Sequence, residues 1–429
     1  MLANPLGPAL IGRGLRNAAW PAYRSSAWLY RRTVLSRKRV VGVTGSFGKT
    51  TTTRAISTTL ASPIAPGGNH SSGIALRVLR TPSDLSHIVL ELGIDGPGQM
   101  RGYASMVRPD VAVLSGIGSE HGRSLGSLER TRDEKGELIR ALPPDGTAIL
   151  NADDQLATSV SGWTKARVVA CGFHPDADVR ILDHAVDWPQ GNRLTVSVHG
   201  KEIEISTRLL GRQMMFPIAA ALAAAESEGV DLETAKERLE SMEPTPGRME
   251  IIAIGNGIFL IHDAFKGAFE TYGAAIDAIA TVPAKRRLMV VGDIAEPPGK
   301  QADAYRSLGR NFAEVDNAWI LHVGKETQRL QAGAKKAGFP AERIVGLGKD
   351  PLGALERIQE MLEPGDVVLL KGRDTQKFDR IELGLKGHSV GCRIEYCDKR
   401  GVRCDGCPLL ESGWEGLPEF MGRRERGAG

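Results

Sequence analysis

The sequence predicts an α/β protein of two successive domains, each built on a mostly parallel sheet. From Arg39 onward, short β-branched and aliphatic runs alternate with helical stretches. Such runs are typical of buried parallel strands covered by helices on both faces. The segment Glu243–Gly247, with two prolines and a glycine, separates two series of this kind. We therefore expect a basic extension over residues 1–38, domains over residues 39–247 and 248–390, and a cysteine-rich tail over residues 391–429.

The elements of the first domain follow in regular order. Val40, Val41 and Val43 predict the first strand, and residues 50–60 predict the helix after it. The remaining predictions for this domain are strands at residues 88–90, 111–114 and 148–150 and a small-residue helix at residues 218–225. Those for the second domain are strands at residues 258–261, 288–291, 318–323, 343–345 and 367–370.

The bulk composition is that of a soluble globular protein rather than a fibrous, secreted or membrane-spanning one. The chain has 429 residues, 41% of them hydrophobic and 25% charged. No apolar run reaches the length that spans a bilayer, and the N-terminus lacks the pattern of a signal peptide. We expect a cytoplasmic location.

Positive charge dominates the start of the chain, because its first acidic residue is Asp84. Two interpretations stay open: an anionic partner, or pairing with acids from later segments. Residues 1–38 could lie on a membrane surface through their arginines and tryptophans, pack over the next domain, or act as a transit peptide. No known nucleic-acid recognition module is present, so a nucleic-acid partner is not expected.

The most informative stretch is Val41–Thr52, in which a strand leads through a glycine turn into a helix. Backbone N–H groups of such a turn face phosphate oxygens, and the helix dipole favours their negative charge. Lys49 would contact the β- and γ-phosphates and Thr50 would coordinate Mg²⁺. The predicted nucleotide-binding residues are Gly45, Ser46, Phe47, Gly48, Lys49, Thr50 and Thr51.

Further motifs follow the loop in a fixed order, and together they resemble the Mur ligase family. Within it they most resemble the branch that adds D-alanyl-D-alanine to the UDP-muramoyl tripeptide. The motifs are Gly68–Ile74, Val89–Gly93, Gly116–His121, Gly126–Leu128, Lys135–Leu138, Leu150–Asp154, Gly247–Glu250, His262–Phe265, Val291–Asp293 and Asp366–Gly372. The likeness covers about Arg39 to Leu385. It implies a P-loop ATPase-type central domain followed by a Rossmann-like C-terminal domain.

The resemblance also implies roles for single residues. Thr50 and Glu91 would hold one Mg²⁺, and His121 would hold a second. Lys135 would carry a carbamate that faces the metal, although a lysine in such a charged helix could equally be exposed. Asn69 and His70 would lie near the substrate.

In the C-terminal domain, the resemblance directs Arg248 towards phosphate and Asp263 towards ribose. Lys371 would face the incoming substrate. Ordinary interdomain or strand-end polar contacts are the alternative for all three.

The sequence departs from the family at several places. The UDP-binding N-terminal domain is expected to be absent, which brings the chain closer to the Mur-like portion of cyanophycin synthetase. Met214 and Pro217 replace asparagines that contact adenine in the family. Lys266 puts a cation where the family has a neutral amide, which would suit a more anionic acceptor or simply be solvated.

The C-terminal cysteines have no counterpart in the family. Cys392 and Cys397 form one closely spaced pair, and Cys404 and Cys407 form another. Two such pairs on tight turns are typical of a structural zinc site. An iron–sulfur cluster and unligated thiols are the alternatives.

Making an amide from a carboxylate requires activation of that carboxylate. The nucleotide- and metal-binding motifs supply residues for this activation. We therefore expect an ATP-dependent carboxylate–amine ligase that uses Mg²⁺ and an acyl phosphate, and that releases ADP and phosphate. Its substrates would be a small-molecule or peptide carboxylate and an amine. A nucleotide-hydrolysing switch and a non-catalytic scaffold are the rival interpretations.

Overall fold

The computed structural model describes residues 20–65, 68–119, 122–399 and 401–411. The chain forms two compact units. The first comprises the chain up to Ala185 with residues 193–207 and 213–242, and the second comprises residues 186–192, 208–212 and the chain from Glu243 onward. In the described part of the chain, every helix is too short or too polar to cross a bilayer.

In the first unit, one leading helix precedes an alternation of strands and helices. Its helices are α1 (Trp20–Arg32), α2 (Lys49–Thr59), α3 (Ser71–Arg80), α4 (Gln99–Val107), α5 (Gly122–Leu125), α6 (Leu128–Arg140), α7 (Gln155–Thr158), α8 (Met215–Ser227) and α9 (Leu232–Glu240). Its strands are β1 (Arg39–Thr44), β2 (His87–Glu91), β3 (Val111–Leu114), β4 (Thr147–Asn151), β5 (Arg167–Gly172), β6 (Val179–Asp187), β7 (Gly191–Val198) and β8 (Lys201–Thr207).

These strands form one sheet in the order β2-β1-β3-β4-β5-β6-β7-β8, and β1 to β6 pair in parallel. The apolar runs at β1 to β4 are buried along most of their length, which confirms the predicted strands. Parallel pairing brings the carboxyl ends of β1, β2 and β3 to one edge of the sheet. Val43 pairs with Glu91 there, next to the glycine turn.

Strands β6 to β8 were not predicted from the sequence. Their buried and exposed residues alternate over much of their length, so they contain no continuous apolar run. They continue the sheet from β5 to its far edge, away from the glycine turn, and β6 still pairs in parallel with β5.

Helix α1 packs against the first unit through one face. Ala27 of this helix and Leu35 just after it belong to the apolar core of the first unit. Trp20, Tyr23 and Tyr30 pack against that core. On the outer face, Trp28 and Leu29 remain 42% and 55% exposed. Contact of this face with an anionic surface stays a prediction.

The second unit is a Rossmann-like arrangement of strands and helices. Its strands are β9 (Glu250–Gly255), β10 (Ile258–Asp263), β11 (Arg287–Val291), β12 (Ala318–His322), β13 (Ile344–Gly346) and β14 (Val367–Lys371). Its helices are α10 (Phe269–Thr281), α11 (Gln301–Asn311), α12 (Thr327–Lys336), α13 (Pro351–Met361) and α14 (Asp379–Leu385). The sheet order is β13-β12-β11-β14-β10-β9, with only the edge strand β9 antiparallel. The predicted α/β class is thus confirmed.

The cysteine-rich tail is fixed to the second unit by buried cations. The guanidinium of Arg380, which is 0% exposed, donates to the carbonyls of Cys392 and Ile394, each at 2.8 Å. Lys377 donates to the carbonyl of Val402 at 2.8 Å. The described tail residues, 391–399 and 401–411, are therefore part of the folded unit.

Candidate active site

The glycine turn after β1 is held in shape by the segment after β3. Ser46 donates its backbone N–H to Gly116 O at 2.8 Å, and the Ser115 hydroxyl donates to Phe47 O at 2.5 Å. Gly48 has a left-handed φ of 78° and forms the N-cap of α2. No side chain caps this helix start, so its dipole faces the turn uncompensated.

Gly45 is required by its surroundings. Its φ is +150°, and a Cβ at this position would lie 2.0 Å from the Ser115 hydroxyl. Only glycine therefore lets Ser115 brace the turn.

We expect Gly45→Ala to lower the affinity for Mg-ATP at least tenfold, because backbone strain of about 1–3 kcal/mol would displace the turn. Titration calorimetry measures this change. The matched control is Gly162→Ala, where the added methyl meets nothing within 4 Å. Equal affinities of the wild type and Gly45→Ala would contradict the role of the turn.

Lys49, at the start of α2, is 6% exposed and folded back over the turn. Its Nζ donates to the carbonyls of Gly45 at 2.6 Å and Ser46 at 3.1 Å. Thr50 lies beside it and is partly exposed, whereas Thr51 is buried. The predicted phosphate-binding residues therefore lie together at one helix start.

The carboxylate of Glu91 lies at the end of β2 and is almost buried. The Asn69 amide donates to its Oε1 at 2.7 Å, and His70 contacts Asn69 at 3.3 Å. Burial lowers the pKa of the Arg77 guanidinium, and the charge of Glu91 opposes that shift. Asn69 is thus next to Glu91, His70 lies beside Asn69, and Arg77 is a neighbour of Glu91 that sequence reasoning missed.

Lys135 reaches the turn from α6. Its side chain is 0% exposed and its Nζ donates to Gly45 O at 2.8 Å. The alternative of an exposed lysine in a charged helix is therefore wrong. The structure brings Lys49 and Lys135 to the same carbonyl oxygen.

Asp154 also shapes this edge of the sheet, although no role was predicted for it. It accepts from Ile117 N at 2.6 Å and caps α7. Asn151 donates to Ser115 O at 3.0 Å. His121, the predicted second metal ligand, lies outside the described residues.

In the second unit, the ends of β10 and β14 bring two predicted residues together. Lys371 donates to Asp263 Oδ2 at 2.6 Å and to Lys266 O at 2.9 Å. Burial lowers the pKa of the Lys371 amine, and Asp263 opposes that shift. The predictions directed Asp263 towards ribose and Lys371 towards the incoming substrate. In this structure the two residues form a buried ion pair with each other.

We expect Asp263→Ala to lower the free energy of unfolding by about 3 kcal/mol, because it leaves the buried Lys371 ammonium without its counter-ion. Chemical denaturation of the full chain measures the loss. The double variant Asp263→Ala/Lys371→Met should be less destabilised than Asp263→Ala alone. A larger loss in the double variant would show that the ion pair is not the cause.

Other charged groups lie near this ion pair. The Tyr272 hydroxyl donates to the carbonyls of Gly292 and Asp293. Burial raises the pKa of Asp293, while Arg373, 3.6 Å away, acts in the opposite direction. Arg248 follows Gly247 and lies 4.7 Å from the ring centre of Phe265.

The cysteine tail gives no support to the zinc prediction. Within the described ranges, one set of three or more potential ligands has atoms within 4.8 Å of one another, and it contains no cysteine. That set is His262, Asp379 and Glu382. Burial would raise the pKa of Glu382, but hydrogen bonds from His262 and Lys386 outweigh it and lower this pKa to about 2. Arg403 also contacts Glu382 at 2.7 Å, so this set is a charge-compensated network.

Comparisons with known proteins cover most of the chain. The sequence model of the Mur ligase middle domain matches residues 43–225, and that of the Mur ligase glutamate ligase domain matches residues 247–373. The UDP-N-acetylmuramoyl-tripeptide–D-alanyl-D-alanine ligase of Bacillus subtilis is 27% identical over 353 residues, which are 81% of this chain and 76% of that protein.

Two solved structures have a similar fold. MurF from Acinetobacter baumannii has a TM-score of 0.76 at 22% identity, with 86% of this chain and 81% of that chain covered. MurF ligase from Thermotoga maritima, solved in complex with ADP, has a TM-score of 0.74 at 22% identity, with 85% and 83% covered.

Proposed function

The chain belongs to the Mur ligase family, and from this premise we propose that it forms an amide between a carboxylate and an amine at the expense of ATP. The carboxylate attacks the γ-phosphate, which gives an acyl phosphate and ADP. The amine then displaces phosphate from the acyl carbon. The carboxylate and the amine are small molecules or peptides.

The observation that carries this proposal is the buried contact between Lys135 and the glycine turn. A nucleotide switch requires the turn, Lys49 and Thr50, but its chemistry does not require Lys135, the second buried lysine on the same carbonyl oxygen. As a carbamate, Lys135 would present a carboxylate in place of a cation. That change suits a site in which metal ions neutralise two reacting anions.

The donor atoms at the sheet edge fit Mg²⁺, which prefers oxygen ligands and retains several waters. The Thr50 hydroxyl and the nearly buried Glu91 carboxylate would hold it, with His121 and the modified Lys135 at a second position. When bound, Mg²⁺ supplies positive charge to the phosphate oxygens. Asn69 keeps the Glu91 carboxylate oriented through its 2.7 Å hydrogen bond.

The remaining roles fall to three cations and one carboxylate. Lys49 leaves the carbonyls of the turn and contacts the β- and γ-phosphates, where it offsets the charge that develops during transfer. Arg248 serves the ATP phosphates and Asp263 the ribose. Lys371, released from Asp263, meets the incoming substrate.

The test is release of ADP and phosphate by the purified chain with Mg-ATP and pools of carboxylates and amino acids, followed by mass spectrometry. The proposal predicts ADP release that needs both partners, and a product lighter than their sum by one water. ADP release that depends on neither the carboxylate nor the amine would favour the nucleotide-hydrolysing switch. Absence of nucleotide binding would favour the non-catalytic scaffold.

A further inference from the structure

Helix α1 packs against both α3 and α4 in the first unit. None of these three helices contains an aspartate or a glutamate. The inward-facing cation of α1 is Arg31, which donates to Val107 O at 2.8 Å and lies 3.6 Å from Asp110. Arg31 is therefore a compensated residue of the interior, and the outer face of α1 carries different arginines.

Two of these outer arginines lie over α4. Arg32 donates to the Ser105 carbonyl of α4 at 3.1 Å and to the Trp28 carbonyl at 3.3 Å. The guanidinium carbon of Arg24 lies 3.9 Å from the position that a Cβ on Gly102 would take. Because the groups they contact are neutral, both arginines keep their positive charge at the α1–α4 boundary.

Arg108, which directly follows α4, adds a third positive charge to this boundary. Burial lowers the pKa of Arg32, and the charge of Arg108 acts in the same direction, so the two guanidinium groups lie near each other. Among the described residues, no carboxylate forms an ion pair with Arg24, Arg32 or Arg108. The arginines therefore concentrate positive charge on one surface.

The acidic residues around this surface offset only part of its charge. Asp110 is already shared between Arg31 and Arg39. Asp84 is exposed in the segment after α3, and Asp95 and Glu134 lie at the start of α4. The cations of α1, of α4 and of the segments that follow them, apart from Arg31 and Arg39, are Arg24, Arg32, Arg37, Lys38, Arg101 and Arg108. Positive charge is in excess even when Asp84, Asp95 and Glu134 are all counted.

Apolar side chains lie among these cations. Trp28 and Leu29 are exposed on the outer face of α1, and Val34, just after the helix, is 48% exposed. The guanidinium of Arg32 lies 3.9 Å from the ring centre of Trp28, so the ring is held beside a cation. Exposed tryptophan and leucine beside arginines are typical of a helix that lies in the interface of a membrane.

We propose that the α1 face, which consists of Arg24, Trp28, Leu29, Arg32 and Arg108, binds the surface of an anionic lipid bilayer. The arginines contact the lipid phosphates, and the two apolar side chains enter the boundary between headgroups and acyl chains. A bilayer provides both the negative charge and the apolar layer that this face requires. Since the inner face of α1 belongs to the core, the helix lies flat on the membrane. The proposal does not depend on ligase activity.

The test is flotation of the full chain with vesicles of phosphatidylcholine, with or without one third phosphatidylglycerol, at low ionic strength. We expect binding only to vesicles that contain phosphatidylglycerol, and loss of binding in about 0.5 M salt, which screens the charges. Arg24→Gln with Arg32→Gln should weaken binding at least tenfold, because each cation at an anionic surface contributes about fivefold. The control Lys335→Gln with Lys336→Gln removes the same charge from the exposed end of α12 and should leave the affinity unchanged.

A second pair of variants tests the apolar contribution. Trp28→Ser with Leu29→Ser should also weaken binding at least tenfold, because these side chains leave water at the membrane. Leu182→Ser with Val402→Ser is the matched control, since these side chains are 40% and 55% exposed elsewhere. Every variant retains residues 1–19, so the differences report on α1 alone.

The proposal is overturned if phosphatidylglycerol does not increase binding, or if the wild type and both α1 variants bind the vesicles equally. Binding of a single-stranded oligonucleotide in place of the vesicles would assign the arginines to a nucleic acid and would also overturn it. Unfolding midpoints of the variants should equal that of the wild type, because the substituted side chains lie at the surface.

Discussion

Lys49→Ala is expected to reduce ADP release by about 100- to 1,000-fold, since it removes a fixed cation from the position where charge develops. Lys49 is nearly buried and donates to the carbonyl oxygens of Gly45 and Ser46, so its ammonium is held close to the turn before nucleotide arrives. Steady-state release of ADP in the presence of both substrates measures the effect.

Folding must be checked in the same variant. Lys38→Ala is a suitable control, because it removes the same charge from the segment before β1. The two variants should have similar unfolding midpoints, and only Lys49→Ala should lose activity. Wild-type turnover in Lys49→Ala would remove the phosphate-binding role of the turn.

Lys135→Ala is expected to lose activity by about 100-fold or more, because the proposed metal-facing carbamate cannot form without this side chain. The substitution also leaves a cavity beside Gly45, which short carboxylates such as acetate can enter. Added acetate should therefore restore part of the activity in Lys135→Ala.

This rescue separates a chemical role from a structural one. Lys135→Met fills most of the lost volume and cannot be carbamylated, so it should be inactive and insensitive to acetate. Loss of activity in Lys135→Ala without any rescue would indicate that the amine only supports the turn. Full activity in either variant would exclude the carbamate.

Much of the fold and of the first-unit site could be predicted from the sequence, because the signals are local. Val40 to Val43 form a buried strand, Gly45 and Gly48 are forced by tight turns, and Lys49 begins the next helix. Each of these features depends on neighbours within a few residues. Family resemblance then supplied the proposed roles of Glu91 and Lys135.

The contacts that complete the site come from distant parts of the chain. Ser115 braces Phe47, and Asp154 holds Ile117, but serine and aspartate in these positions look like ordinary strand-end residues. Arg77 lies near Glu91 only because α3 packs beside β2. Nothing in the local sequence distinguishes it from the other arginines of this region.

The tail shows the opposite case, in which a clear local pattern leaves the main-chain contacts unpredicted, and the zinc prediction stays without support. The spacing of Cys392, Cys397, Cys404 and Cys407 suggested zinc. In the structure the tail is instead attached through the main chain, to Arg380 and Lys377. Cys404 packs with Leu383 and Leu410 in a small apolar cluster.

The central claim is that phosphate leaves from an acyl phosphate, and the origin of its fourth oxygen tests this most directly. The reaction is run with Mg-ATP and both substrates in water enriched in oxygen-18, and the released phosphate is analysed by mass spectrometry. Ligation predicts phosphate without the label, because its new oxygen comes from the substrate carboxylate. One labelled oxygen in each phosphate would show that water attacks ATP and would contradict the ligase account.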